Sequence, residues 1–365
     1  MERILSSRSH VSPKRVSSVS EKLNYVGVPP KSAARFAAIC LVGLLACHLA
    51  AADTVIYHTD KDNASRASLT GTISDFAGGR LTIRNDAGTT QVIPAERIVV
   101  IHSQWTAAEA AGDRCSQDGE LAAAVSQYQQ ALQEEKRVWV QRQIVAKLVG
   151  VYGQLEQFEL AGEAFLRLLQ NDPQTSHVAV IPLAWTTFSP SPTFQQRARA
   201  WLADKDNSLA SLLGASWLLS TSQRAAALAA LQRLQSAPDS RVAMLAHTQL
   251  WRTRIPMTTP EEIEGWERWL ERMPADLRGG PCYVIGQAWS AKGRAERSAW
   301  AFLRVPILYP ADRRLVALAL LSAGRELEKI GQRAEAVSLY RELVRDHATA
   351  PAVAEARGRL EELDL

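Results

Sequence analysis

The stretch Ala161–Pro173, AGEAFLRLLQNDP, decides the predicted fold. It places a small residue, an aromatic residue four positions later, a leucine three positions after that and a proline at its end (Ala161, Phe165, Leu168 and Pro173). Residues three and four apart lie on one face of a helix, and proline stops a helix. The stretch therefore predicts a helix that buries one face and ends at Pro173.

The same spacing recurs downstream of Trp105, in units that begin near positions 105, 142, 207, 243, 279 and 317. The small residues of these units are Ala124, Ala161, Ala226, Ser298 and Ala336, and the residues four positions later are Tyr128, Phe165, Ala230, Phe302 and Tyr340. A single helical hairpin cannot bury its apolar face alone, so each hairpin is expected to stack on the next. We expect the small residue to mark the closest approach of two helices.

The recurring pattern resembles the tetratricopeptide repeat, which runs W-x₂-L-G-x₂-Y…A-x₃-F…P over 34 residues. Ile285, Gly286, Trp289, Ser298 and Phe302 follow this template in one unit. The resemblance implies a mainly α protein, with an α-solenoid of about seven helical hairpins over residues 105–350 and a capping helix at 351–365. One of the seven hairpins is assigned to residues 177–206, where three prolines interrupt the pattern.

Residues 53–104 predict a small antiparallel β-barrel or a curled sheet in front of the helices. Short runs such as TVIY, SLTGTISDF and RLTIRN alternate apolar and polar residues between glycine-containing turns. The segment resembles Sm-type or SH3-like barrels, some of which bind RNA. It carries five Lys/Arg against six Asp/Glu, so we interpret it as a structural cap for the helices.

Residues 1–52 predict an export signal. A basic, serine-rich segment precedes the apolar run Phe36–Asp53, and Ala50 and Ala52 form an A-x-A cleavage pattern. The protein is thus expected in the periplasm or cell envelope. Two alternatives remain open: an uncleaved anchor helix within residues 36–52, or lipidation at Cys47, which follows LLA.

Charge argues against a nucleic-acid partner. Of the 42 Lys/Arg and 38 Asp/Glu, residues 1–52 hold seven and two, which leaves 35 and 36 in the rest of the chain. A nearly neutral body lacks the basic footprint of a phosphate-binding protein.

No sequence pattern points to catalysis, a metal or another cofactor. The histidines do not form an HExxH motif, and the repeated DKDN segments lack the remaining ligands of a calcium loop. Most of the ten tryptophans, with Trp217, Trp266, Trp289 and Trp300 among them, are expected to pack in the core. A less favoured alternative is a glycan-binding protein or envelope enzyme component, which requires at least two tryptophans clustered on the surface.

The favoured hypothesis is therefore a non-enzymatic scaffold that binds a protein or peptide. In tetratricopeptide proteins the first helix of each hairpin lines a concave groove for such a partner. The resemblance places seven residues of this chain in that groove: Gln143, Lys147, Gln154, Tyr283, Gln287, Arg325 and Lys329. The Lys/Asn/Arg set that holds a terminal carboxylate in some family members is absent from these positions.

Overall fold

The structure is a computed structural model that describes residues 52–60 and 65–363. In these residues a small antiparallel sheet precedes a long series of helices. The strands are β1 (Asp53–His58), β2 (Arg66–Ala77), β3 (Arg80–Arg84), β4 (Thr90–Pro94) and β5 (Ile98–His102). The helices are α1 (Ala107–Gln117), α2 (Leu121–Glu134), α3 (Val138–Gln154), α4 (Phe158–Asn171), α5 (Pro192–Ala203), α6 (Ser208–Leu218), α7 (Arg224–Leu234), α8 (Ser240–Arg254), α9 (Pro260–Leu270), α10 (Gly279–Ala291), α11 (Ala295–Leu308), α12 (Arg313–Lys329), α13 (Arg333–Asp346) and α14 (Ala352–Leu363). The chain is thus mainly α with a small β-sheet in front, as its sequence predicts.

The sheet has the strand order β4-β3-β2-β1-β5, and all of its described pairings are antiparallel. Its inward positions hold Val55, Ile73, Leu81, Ile83 and Ile93, which are buried because side chains alternate between the two faces of a strand. Among the described residues β4 and β5 are the two edges and do not pair with each other. The described strands therefore form an open sheet, and closure into a barrel stays a prediction.

The helices form six consecutive hairpins with one extra helix in the middle and one at the end. The hairpins are α1–α2, α3–α4, α6–α7, α8–α9, α10–α11 and α12–α13, and we number them one to six. Neighbouring hairpins pack through helices such as α2 and α3, α7 and α8, or α11 and α12. Between the second and third hairpins, α5 contacts both α4 and α6. Helix α14 packs on α12 and α13, in the position of the predicted capping helix.

A glycine–aromatic contact recurs in three hairpins. A Cβ on Gly324 would lie 2.4 Å from the Tyr340 ring, and the same holds for Gly286 with Phe302 at 2.6 Å and for Gly112 with Tyr128 at 2.7 Å. No real Cβ tolerates such distances, so these glycines let an aromatic ring lie directly on helix backbone. The small residues Ala124, Ala161, Ser298 and Ala336 are all fully buried. The repeating pattern in the sequence therefore corresponds to a repeating contact.

The third hairpin departs from the predicted frame by one residue. Ala226 is exposed, while Ala227 and Ala230 are buried against the neighbouring helices. Gly214 faces α5, since its Cβ would lie 2.4 Å from the Ala198 carbonyl oxygen. The template misplaced Ala226 because the turn between α6 and α7 is longer than the turns of hairpins one, two, five and six.

The hairpin predicted for residues 177–206 does not exist as such. This segment contains a 3₁₀ turn at Ser176–Val180, then non-helical chain and the single helix α5, which packs on α6. Pro190 precedes α5, and Pro192 is its first residue, a position where the missing N–H of proline costs nothing. The described residues therefore form six hairpins and one inserted segment in place of seven hairpins.

The sheet is attached to the second hairpin. Arg142 on α3 forms an ion pair with Asp75 at 2.8 Å and donates to the Phe76 carbonyl at 3.1 Å. Arg137, just before α3, donates to Ser103 Oγ at 2.7 Å and to the Gln104 carbonyl at 2.5 Å. These contacts support the prediction that the sheet serves as a cap on the helices.

The leader predicted for residues 1–52, with its apolar run and Cys47, lies outside the described residues except for Ala52. Within the described part, no helix has both the length and the apolar character needed to cross a membrane.

Candidate functional site

The seven predicted groove residues lie on the first helices of three hairpins, where they form three separate groups. Gln143, Lys147 and Gln154 are on α3, Tyr283 and Gln287 on α10, and Arg325 and Lys329 on α12. Pairs four residues apart share one helix face. What each group can bind depends on its surroundings, which differ sharply.

Lys147 belongs to a charge network inside the first two hairpins. Its side chain is 33% exposed, and Nζ lies 2.9 Å from both Glu109 Oε1 and Asp113. The rings of Trp105 and Tyr128 lie 5.9 and 5.8 Å from the same ammonium group. Tyr128 donates its hydroxyl to Asp113 at 2.7 Å. The contacts of Lys147 are thus already made within the chain, and Gln143, one turn earlier on α3, is half-buried.

Burial dominates the electrostatics of this network. Glu109 is almost completely buried, and one of its oxygens, Oε2, has no hydrogen-bond partner among the described residues. Burial raises the pKa of the Glu109 carboxyl, although the Lys147 ammonium acts in the opposite direction. The group therefore holds the first and second hairpins together at an electrostatic cost.

Tyr283 lies in the core. Its side chain is 5% exposed, its ring packs on Phe302 with the centroids 5.1 Å apart, and its hydroxyl lies 3.2 Å from Ser322 Oγ. Burial raises the pKa of this hydroxyl. The side chain joins the fifth and sixth hairpins and is not part of an accessible surface, whereas Gln287 on the next turn is half-buried.

Arg325 and Lys329 are the two exposed members of the set. Arg325 forms an ion pair with Glu355 on α14, and Lys329 reaches Glu326 at 2.6 Å. Glu326 also accepts from Ser290 Oγ on α10 at 2.6 Å. Polar contacts therefore connect α12 to α10 through Glu326 and, separately, to the capping helix through Arg325.

The largest departure from the predicted groove is that part of it is occupied by the chain itself. Residues 175–188, which we call the strap, run across α3, α6, α8 and α10. Ile181, Leu183, Ala184 and Trp185 of the strap are buried. The first helices thus hold an extended segment, but in this structure that segment comes from within the same chain.

Side chains from two successive hairpins hold the strap by its backbone. Ser216 on α6 accepts from the Ala184 N–H at 2.9 Å, and Gln249 on α8 donates to the Ala184 carbonyl at 3.1 Å. Arg252 donates to the Thr186 carbonyl at 3.0 Å. We call Ser216, Gln249 and Arg252 the clamp. Since its bonds go to backbone atoms, the clamp recognises extended chain and not a particular side chain.

The members of the clamp also bind one another. Ser216 Oγ donates to Gln249 Oε1 at 3.0 Å, and Arg252 Nη1 donates to the same oxygen at 2.7 Å. Burial, together with the nearby charge of Arg224, lowers the pKa of the Arg252 guanidinium to about 10. Its hydrogen-bond acceptors are all neutral carbonyl oxygens. The clamp is therefore a satisfied polar cluster, of the kind that fixes one geometry in a core.

Aromatic side chains anchor the strap on either side of the clamp. A Cβ on Gly280 would lie 1.9 Å from the Trp185 ring, so Trp185 occupies space that only glycine leaves open. Trp217 donates its indole N–H to the Pro182 carbonyl at 2.8 Å and packs against Phe188, with ring centroids 5.5 Å apart. The polar clamp and the aromatic anchors together make the strap a fixed part of the helical core.

The clamp was not predicted from the sequence, although two signals point towards it. Pro182, Pro190 and Pro192 indicate non-helical chain, because proline lacks the N–H that a helix interior needs. Ser216 and Gln249 are polar residues among the mostly apolar buried positions of α6 and α8, and buried polar groups need partners. Nothing in the repeat template connects these signals, since the partners come from an insertion.

The glycan-binding alternative lacks the surface that it requires. All ten tryptophans lie in the described part of the chain, and Trp300 alone is exposed, at 65%. The expectation that Trp300 packs in the core is therefore wrong, whereas Trp217, Trp266 and Trp289 are buried as expected. Within the described residues no group of three or more His, Cys, Asp or Glu is placed to hold a metal ion.

Comparisons with family models, with curated proteins and with solved structures yield no match to this chain.

Proposed function

We propose that this protein is a non-enzymatic scaffold, exported to the periplasm or cell envelope, that binds a partner protein or peptide through the first helices of its hairpins. The observation that carries this proposal is the clamp. Ser216, Gln249 and Arg252 hold an extended backbone in the way a peptide-binding surface does. The strap takes up the middle of this surface, so the partner is assigned to the accessible part on α12, around Arg325 and Lys329.

We also propose that the hairpins are tetratricopeptide-type units. The support is the glycine–aromatic contact in hairpins one, five and six, in which the two residues are separated by the same interval along the chain. Export is supported only by the features of the leader in the sequence. The second candidate function is a membrane-anchored assembly factor, and its support is Cys47 as a lipidation site in the leader.

Position-specific photo-crosslinking in the native cells tests the scaffold. A photoreactive amino acid replaces Lys329 on the proposed surface or, as the control, the exposed Ala229 on α7. We expect one defined adduct from position 329 and none from position 229. Equal labelling at both positions, or no adduct at 329, contradicts the proposed surface.

Mass spectrometry of the mature N-terminus tests the location. A chain that starts at Asp53 supports export with cleavage, and a lipidated Cys47 supports the anchored alternative. An intact leader on protein recovered from the cytosol contradicts both.

A further inference from the structure

The two ends of the helical array contact each other. Helix α12 touches α3, and Arg314 at the start of α12 lies 3.4 Å from Glu156, just after α3. The Arg314 guanidinium also lies over the Phe158 ring, at 4.7 Å from its centroid. In an open array with contacts only between neighbouring repeats, the second and sixth hairpins would not meet. Their contact creates a site that is lined by residues of two distant hairpins. The repeat pattern of the sequence does not reveal such a site, because no single repeat supplies most of its residues.

A cleft of about 300 Å³ lies at this junction. One side is formed by the turn between α1 and α2 and by Gln154 at the end of α3. The other side is formed by Arg313 and Arg314 of α12, and by the connection between α13 and α14, which includes Arg345. Gln154, which the resemblance assigned to a peptide groove, thus belongs to a different cavity.

Arginine side chains line the cleft with much of their donor capacity unused. The Arg314 side chain is only 15% exposed, yet among the described residues its hydrogen bonds involve Nε alone, to Glu156. Arg313 donates through Nη2 to the main-chain carbonyl of Asp346 at 2.9 Å and makes no bond to a described carboxylate. Arg345 pairs with the adjacent Asp346 at 2.6 Å. Several guanidinium N–H groups are therefore left to bind an external acceptor.

The charges of the lining favour an anion. Three guanidinium groups line the cleft with two carboxylates, Asp118 and Asp346. Arg345 pairs with Asp346, and Arg314 pairs with Glu156 beside the cleft, so the guanidinium of Arg313 is the one with no carboxylate partner among the described residues. Burial and the nearby Arg313 lower the pKa of His347, so its imidazole adds little charge at neutral pH. The guanidinium group presents paired N–H donors that match the oxygens of carboxylate and phosphate groups.

We propose that the cleft formed by Gln154, Arg313, Arg314 and Arg345 binds an oxyanion, a carboxylate or a phosphate group carried by a ligand. Because the lining comes from both ends of the array, the bound anion connects the second hairpin to the sixth. The site is independent of the proposed scaffold function, and its test uses no partner protein.

Isothermal titration of the full chain with inorganic phosphate and with glutarate, at constant ionic strength, tests the site. We expect saturable binding of at least one of them, and about a tenfold loss of affinity in Arg313→Gln. Tighter binding of phosphate assigns the site to a phosphate-bearing ligand, and tighter binding of glutarate assigns it to a carboxylate. No saturable binding of either anion overturns the proposal.

Two further variants separate anion binding from folding. Gln154→Glu brings a negative charge into the lining without removing an arginine, and we expect it to weaken binding about as much as Arg313→Gln. Arg294→Gln removes an exposed positive charge before α11, away from the cleft, and we expect it to leave the affinity unchanged. Equal affinities in the Arg313→Gln, Gln154→Glu and Arg294→Gln proteins would mean that only the overall charge matters, which contradicts the site.

Discussion

In the sixth hairpin, Tyr340 lies on the bare backbone of Gly324, and in the fifth hairpin Trp185 of the strap lies on the bare backbone of Gly280. Both contacts place a large ring against a glycine in the first helix of a hairpin. In the sixth hairpin the ring comes from the partner helix, 16 residues along the chain, whereas at Gly280 it comes from an inserted segment 95 residues away. The same local packing can thus be produced by a repeat or by an insertion, and only the repeat leaves a periodic trace in the sequence.

The largest effect is expected at the strap anchor. Trp185→Ala removes a buried indole from the space above Gly280, and we expect a loss of about 3–5 kcal/mol in the free energy of unfolding. Trp300→Ala is the matched control, because Trp300 is exposed and its loss is expected to cost less than about 0.5 kcal/mol. Urea denaturation measures both. Similar small losses in the two variants would show that the strap is a surface feature.

The second-largest effect is expected at the glycine–aromatic contact of the sixth hairpin. Gly324→Ala places a Cβ 2.4 Å from the Tyr340 ring, and we expect it to destabilise the protein by about 1–3 kcal/mol. Gly150→Ala in α3 meets no atom within 4 Å and is expected to stabilise it by up to about 1 kcal/mol, since alanine favours helix. Thermal unfolding of the two proteins gives the comparison. If Gly324→Ala stabilised the protein, the Tyr340 ring would not lie tightly against the backbone of residue 324.

A smaller and more local effect is expected at the clamp. Ser216→Ala removes the acceptor of the Ala184 N–H, and we expect a loss of about 1–2 kcal/mol with faster hydrogen exchange at that amide. Ser338→Ala on the exposed face of α13 serves as the control and is expected to leave the exchange of Ala184 unchanged. Unaltered protection of Ala184 in Ser216→Ala would argue against the clamp.

The smallest effect concerns pH. Burial raises the pKa of Glu109 in the folded protein above its value in the unfolded chain. The folded state then binds the proton more readily, so this group favours folding at acidic pH and loses that contribution as pH rises through the folded pKa. Between pH 4 and pH 7 we therefore expect the stability of Glu109→Gln, relative to the original protein, to rise. A pH profile of unfolding that Glu109→Gln leaves unchanged would contradict this assignment.

The parts of the fold that the sequence predicted are those with short-range causes. The spacing of Ala161, Phe165 and Pro173 follows from helix geometry, so the helix and its buried face could be predicted from that stretch alone. The predicted frame is wrong at Ala226, because a longer turn shifts the buried positions at the start of the following helix. The strap escaped prediction because its bonds connect residues such as Ala184 and Gln249, which are 65 positions apart.

The sequence predicted less of the candidate site than of the fold. A template assigns a residue to a helix face but does not say what covers that face, so it placed the buried Tyr283 and the exposed Lys329 in one groove. It assigned Gln154 to the same groove, although this residue lies where the second and sixth hairpins meet. Contacts between repeats that are distant along the chain depend on the curvature of the whole array, which no local pattern specifies.

The strap also has a consequence for how the molecule unfolds. Arrays whose repeats touch only their neighbours can lose their terminal repeats one at a time, because each loss breaks a single interface. Here residues 175–188 bind helices of several hairpins at once, and Arg314 links the last hairpin to the second. Detaching one hairpin therefore disturbs contacts of others. We expect the helical region to unfold in one cooperative transition, as a globular domain does, despite its construction from repeats.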